Sequence, residues 1–179
     1  IRYLTVTGVQ TCALPILSNS CFSKCTNLAS VALSESIVKI DMWAFSGCTS
    51  LSSISLPESV IFIAERAFNG CTGLTSISIP NEVISIRRSA FFRCSKLESI
   101  SIPGSVNEIC YLAFSKCANL RIVTLSRGLI RIGDFAFLSC TELVKIEIPD
   151  TVTEIGDYAF SKCDKLEELD IPDSVKSIG

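Results

Sequence analysis

Apolar residues return along this chain at a fixed spacing of 23 positions. Phenylalanine stands at Phe22, Phe45, Phe68, Phe91, Phe114, Phe137 and Phe160, and a cysteine follows each three residues later, from Cys25 and Cys48 through Cys140 and Cys163. Aligned on that period, one copy runs Leu51, Ile54, Leu56, Pro57, Val60, Ile63, Ala67, Phe68, Cys71. Ile54 and Leu56 alternate with Ser53 and Ser55, the period-two signature of a half-buried strand. Pro57 ends that strand because it has no N–H for a ladder bond. Val60 and Ile63 predict a second short extended piece. The Ala-Phe-x-x-Cys segment predicts a single helical or 3₁₀ turn, since residues three apart share a face.

A constant period of this length marks a solenoid, in which each repeat is one coil stacked on the next. Equal positions then lie on top of one another, so the phenylalanines form a buried spine beside columns of Leu, Ile, Val and Cys. No coil can bury its apolar face alone; its neighbours complete the core. This accounts for a 48% hydrophobic content in a chain with no apolar stretch near the ~18 residues of a membrane span. Strands about 4.8 Å apart give a rod about 34 Å long for seven coils. The predicted ladder is parallel and centred on Ile54, Ile77, Ile100, Val123, Ile146 and Leu169, with Val31 at its start.

The unit L-x-x-I-x-I-P-x-x-V-x-x-I-x-x-x-A-F-x-x-C resembles the BspA-type leucine-rich repeat family, from about Leu17 to Gly179. Departures are small. Cys21 stands where alanine belongs, and Ser34 and Ser126 replace proline. Asp41, Ala64, Arg87 and Cys110 occupy the slot filled elsewhere by Gly133, Gly156 and Gly179. The resemblance implies a leucine-rich repeat solenoid, a right-handed β/α superhelix with a parallel strand ladder and short helical or 3₁₀ turns. It also implies cell-surface or secreted proteins of microbes or protists that bind host or matrix proteins and other cells.

Residues before Leu17 fit no repeat. Val6 to Ile16 reads VTGVQTCALPI, which is similar to the in-frame translation of a short-read sequencing adaptor. Residues 1–16 are therefore expected to be a non-native leader that completes no coil, and 17–179 a solenoid of about seven coils cut at both ends. A signal peptide is not expected in the leader, which lacks a basic start, a long apolar core and a small-residue cleavage site.

Sixteen basic and eighteen acidic residues leave a net charge of −2, so no basic footprint points to nucleic acid. The chain has no histidine, which removes the commonest general base and metal ligand and excludes Ser-His-Asp and Cys-His sites. Seven of the ten cysteines form one column of the repeat, predicted to point inward as free thiols that pack like small apolar residues. A linear inward ladder does not supply the four converging ligands of a zinc site. Disulfides between neighbours are the alternative, and would distort the coil-to-coil geometry. No catalytic residue, metal site or cofactor is predicted.

The face of the stacked strands is where a solenoid usually binds. One outward column there holds Ser53, Ser76, Ser99, Ile122, Lys145 and Glu168, and the other Ser55, Ser78, Ser101, Thr124, Glu147 and Asp170. Coils two to four thus present Ser-x-Ser three times running, and coils six and seven turn charged. Eleven of these residues, all but Ile122, are the candidate contacts for a protein or glycan ligand. The plain alternative is a solvated strand face of small polar residues. A second candidate is the slot before Ala-Phe, held by Trp43, Arg66, Ser89, Leu112, Phe135 and Tyr158, for which partial burial under the turn is expected. The leading expectation is a non-enzymatic binding scaffold for protein interaction or adhesion; its rival is a structural spacer rod without its own ligand.

Overall fold

The computed structural model describes residues 16–179; residues 1–15, which carry nearly all of the predicted leader, lie outside the described residues. The chain forms β1 (Ile16–Leu17), β2 (Lys39–Ile40), β3 (Ser53–Ile54), β4 (Phe62–Ile63), β5 (Ser76–Ile77), β6 (Ser85–Ile86) and β7 (Ser99–Ile102). It continues with β8 (Glu108–Ile109), β9 (Ile122–Leu125), β10 (Arg131–Ile132), β11 (Lys145–Ile146), β12 (Glu154–Ile155) and β13 (Ser177–Ile178). All pairings are parallel, and each steps by one repeat, as in Ile40 with Ile63 and Val123 with Ile146. The result is a parallel β-solenoid of about seven coils. Ile16, at the end of the adaptor-like string, pairs in register with Lys39.

The predicted ladder is not the continuous one. The Val-x-x-Ile side builds an eight-stranded sheet in the order β1-β2-β4-β6-β8-β10-β12-β13, whereas the Leu-x-x-Ile side splits into β3-β5 and β7-β9-β11. Val31 and Leu169 lie outside any strand. Proline explains part of the difference. Pro80 and Pro149 can donate no ladder bond to the coil before them, and β3-β5 and β9-β11 pair over only two residues. Ser126 stands in the same slot with an N–H, which donates to Ile102 O at 3.1 Å, and β7 and β9 pair over four residues. On the other side no proline intervenes. The residue after most of these strands donates back to the preceding coil, as Ala64 N–H does to Ile40 O at 2.9 Å and Gly156 N–H to Ile132 O at 2.8 Å.

The Ala-Phe-x-x-Cys segment is a chain of tight turns, with no helix or 3₁₀ helix among the described residues. Its amides alternate in direction. Ala44, Ser46 and Cys48 donate three residues back, while Trp43, Phe45 and Gly47 donate to Glu65, Ala67 and Asn69 of the next coil at 2.7–3.1 Å. A helix needs every amide for its own ladder, so the bonds to the next coil exclude one. The alternation is achieved with two left-handed residues per coil. One precedes Ala-Phe, at Trp43, Arg66, Ser89, Leu112, Phe135 and Tyr158, with φ of 52–56°. The other precedes Cys, at Gly47, Gly70, Arg93, Lys116, Ser139 and Lys162.

The core follows the predicted columns. Phe45, Phe68, Phe91, Phe114 and Phe137 are fully buried, and the rings stack nearly parallel with centroids 5.2–5.5 Å apart. That spacing lies inside the favoured range for stacked aromatic pairs. Cys48, Cys71, Cys94, Cys117 and Cys140 are buried free thiols. Cys25, predicted to point inward with them, is exposed. Each buried thiol is covered by the coil before it, and Cys25 lies in the first described coil.

Candidate interaction face

All eleven predicted contact residues are exposed, because the pleat turns Ile54, Ile77, Ile100, Val123 and Ile146 into the core and their neighbours outward. Three groups result. Ser53 and Ser76 face each other across β3 and β5, with Ser55 and Ser78 just beyond. Ser99, Ser101, Thr124 and Lys145 lie on β7, β9 and β11, with Glu147 following β11. Glu168 and Asp170 come after the last strand of this face. Among the described residues, none of the seven hydroxyls from Ser53 to Thr124 in these columns makes a side-chain hydrogen bond (Thr75 and Thr141, outside the columns, do bond carbonyls of the preceding coil). Their donors and acceptors all face solvent. Lys145 and Glu147 bridge at 2.7 Å, which holds the ammonium above and the carboxyl below their usual values.

Sequence reasoning missed the most contoured part of this face. Arg121, Ile122, Thr124, Val144, Lys145 and Glu147 surround an open depression of about 500 Å³. Ile122 is 61% exposed and Val144 46%. The signal was present as an isoleucine in an otherwise polar outward column. Its meaning depends on Val144, one column over, and only the stacking of coils brings the two together.

The slot before Ala-Phe is half-buried at Trp43, Arg66, Leu112 and Phe135, buried at Ser89 and exposed at Tyr158. Phe135 stacks with Tyr158 at 5.2 Å, and Arg66 lies over Trp43 at 5.8 Å. On the eight-stranded sheet, Arg131 bridges Glu108 at 2.6 Å and Glu154 at 2.8 Å, tying three coils together. The hydrogen bonds to Glu154 and then Glu108 hold its guanidinium above its usual value.

The repeat consensus and this parallel solenoid are matched by one family in six copies, over residues 15–140 and 107–179: the BspA type leucine rich repeat region. This chain belongs to that family. Leucine-rich repeat proteins of known structure superimpose on it. A leucine rich repeat protein of T. pallidum is 37% identical, with a TM-score of 0.80 over 84% of this chain and 73% of its own. A leucine rich cell surface protein of Faecalibacterium prausnitzii is 36% identical, with a TM-score of 0.75 over 79% of this chain. A leucine-rich repeat protein of Bacteroides ovatus is 29% identical, with a TM-score of 0.65 over 90% of this chain. The match spans 38% of the F. prausnitzii protein and 53% of the B. ovatus protein. No curated protein matches the chain. BspA-type leucine-rich repeats are repeat scaffolds, typically for protein interaction.

Proposed function

We propose that this chain is a non-enzymatic binding segment of a secreted or cell-surface protein, which engages a protein or glycan through the face of β3-β5 and β7-β9-β11. One observation carries the reading. One outward side of the coils combines hydroxyls that bond nothing within the chain with a depression edged by the exposed Ile122 and Val144. Interfaces commonly concentrate their energy in an apolar centre within a polar rim. The F. prausnitzii relative, a cell surface protein, supports the location.

The test is binding to a panel of immobilised matrix proteins and glycans. Ile122→Asp with Val144→Asp should weaken any specific binding at least about tenfold, as loss of an interface centre does. Both side chains are exposed, so the unfolding midpoint should hold. Binding that survives replacement of the whole face by charged residues would leave the spacer rod as the better description.

A further inference from the structure

The eight-stranded sheet carries a groove on the other side of the coils. It has a volume of about 670 Å³ and is lined by residues from β2 to β10, among them Phe62, Arg87, Arg88, Cys110 and Tyr111. Most charges along it are already compensated. Lys39 lies 3.0 Å from Asp41, Glu65 is 3.7 Å from Arg66, and Glu108 is held by Arg131. Arg87 and Arg88 are different. Both are exposed, and among the described residues neither forms an ion pair with a carboxylate. Residues 1–15 contain no Asp or Glu that could serve them.

Arg88 is also oriented. The Arg88 guanidinium lies 4.6 Å over the Tyr111 ring. Stacking uses the flat face of the guanidinium and leaves its N–H fork in plane for a carboxylate. Apolar surface lines the same groove, with Phe62 and Tyr111 each 36% exposed. Cys110, half-buried in the groove wall, has its thiol pushed up to about 11, by burial and then by Glu108. It is therefore neutral near pH 7 and offers the arginines no competing anion.

We propose that this groove is a second interaction surface, separate from the serine face, which takes an acidic segment of a partner protein. A carboxylate docks on the Arg87 and Arg88 forks, and a neighbouring aliphatic or aromatic side chain packs on Phe62 and Tyr111. Charge complementarity selects this occupant. Two uncompensated cations beside exposed aromatic surface suit one or two carboxylates flanked by apolar groups. A sulfated glycan presents many anions, and Asp41, Glu65 and Glu108 along the same groove would repel them.

The experiment uses the full chain and a fluorescein-labelled synthetic heptapeptide alternating glutamate with leucine and phenylalanine, followed by fluorescence anisotropy. Saturable binding is expected, weakening as salt screens the contact. Arg87→Gln with Arg88→Gln should weaken it at least about tenfold, as should glutamine in place of glutamate in the peptide. Ser76→Ala with Ser78→Ala should leave it unchanged, which separates this surface from the serine face. Equal unfolding midpoints for all variants would show that the fold is retained. The proposal is overturned by the absence of saturable binding up to about 1 mM peptide, or by indifference to either arginine or glutamate replacement. Binding of a heparin oligosaccharide that depends on Arg87 and Arg88, with none of the peptide, would also overturn it.

Discussion

From Phe22 to Phe137, each phenylalanine carbonyl of the spine accepts two donors. Phe45 O takes the Cys48 N–H and the Cys71 thiol, both at 3.1 Å, and Phe68, Phe91 and Phe114 repeat the arrangement. Cysteine thus fills the volume of a small apolar residue and also supplies a weak S–H donor across coils. Burial, followed by the neighbouring thiols, raises these groups: Cys71 to about 12, and Cys94 and Cys117 well above their ordinary 9.0. A thiol with a raised folded pKa stays protonated in the fold while the unfolded chain ionises. Its stabilisation is complete below the unfolded value and is lost as pH rises above it. Each such thiol contributes a slope of about 1.4 kcal/mol per pH unit. Urea unfolding should therefore give a stability that holds to about pH 8 and falls steeply towards pH 10.5, with a shallower fall in a Cys94→Ala, Cys117→Ala double variant. Parallel profiles for the two proteins would refute this role for the column.

The strand and turn elements are set by which amides each coil can give away. Where the coil that would donate back carries a proline in this slot, as at Pro80 and Pro149, pairing with the preceding coil is limited to two residues, in β3-β5 and β9-β11. At Ser126 the N–H reaches Ile102 O, and β7 and β9 pair over four. Ser126→Pro restores the consensus and removes that bond. It should cost about 1 kcal/mol, the usual worth of one backbone hydrogen bond, and speed amide exchange at Thr124 and Leu125. A variant more stable than the parent would show that proline's stiffness outweighs the bond. The turns carry a second constraint. Arg93, Lys116 and Lys162 hold the left-handed conformation that Gly47 and Gly70 hold in other coils. Replacing Lys116 by glycine should therefore be tolerated, at a change of less than about 1 kcal/mol, because glycine visits that region freely. Circular dichroism and a melting curve would check it.

Over the whole molecule, strand pairing and ring stacking step from one coil to the next, so stability is close to a sum of coil and interface contributions. Phe91 lies at the middle of the spine, stacked on Phe68 and Phe114 at 5.2 Å. Phe91→Ala opens a cavity between fully buried neighbours and should cost about 3–5 kcal/mol. Both flanking interfaces weaken at once, so denaturant unfolding should separate into two transitions read by fluorescence and circular dichroism. A single sharp transition with an unchanged midpoint would show that the spine does not carry the stack. Surface ties act on a smaller scale. Arg131 links Glu108 and Glu154 at half-exposed positions, where ion pairs contribute ~1 kcal/mol or less.

The 23-residue period by itself determined the stacking, the parallel direction and the buried columns, because equal coils can bury their apolar residues only against their equals. It also determined which residues of the serine face point outward, since alternation along a strand leaves one choice once Ile54 and its counterparts are buried. It did not determine which of two short extended pieces would pair without interruption. That depends on amide donors, and a consensus of side chains is silent about where each N–H is sent. For the same reason Ala-Phe-x-x-Cys read as a helical turn: the i, i+3 spacing of Phe45 and Cys48 is satisfied equally by turns through left-handed residues, and only the bonds to the next coil decide between them. The neighbourhoods of Ile122 with Val144, and of Arg87 and Arg88 with Tyr111 and Phe62, are likewise tertiary. Ile122 and Val144 come from adjacent columns of neighbouring coils, and Arg88 and Tyr111 from successive turns of one column with Arg87 beside it and Phe62 further over; what they can hold is set by the distance and tilt between coils, which the stacked backbone alone fixes.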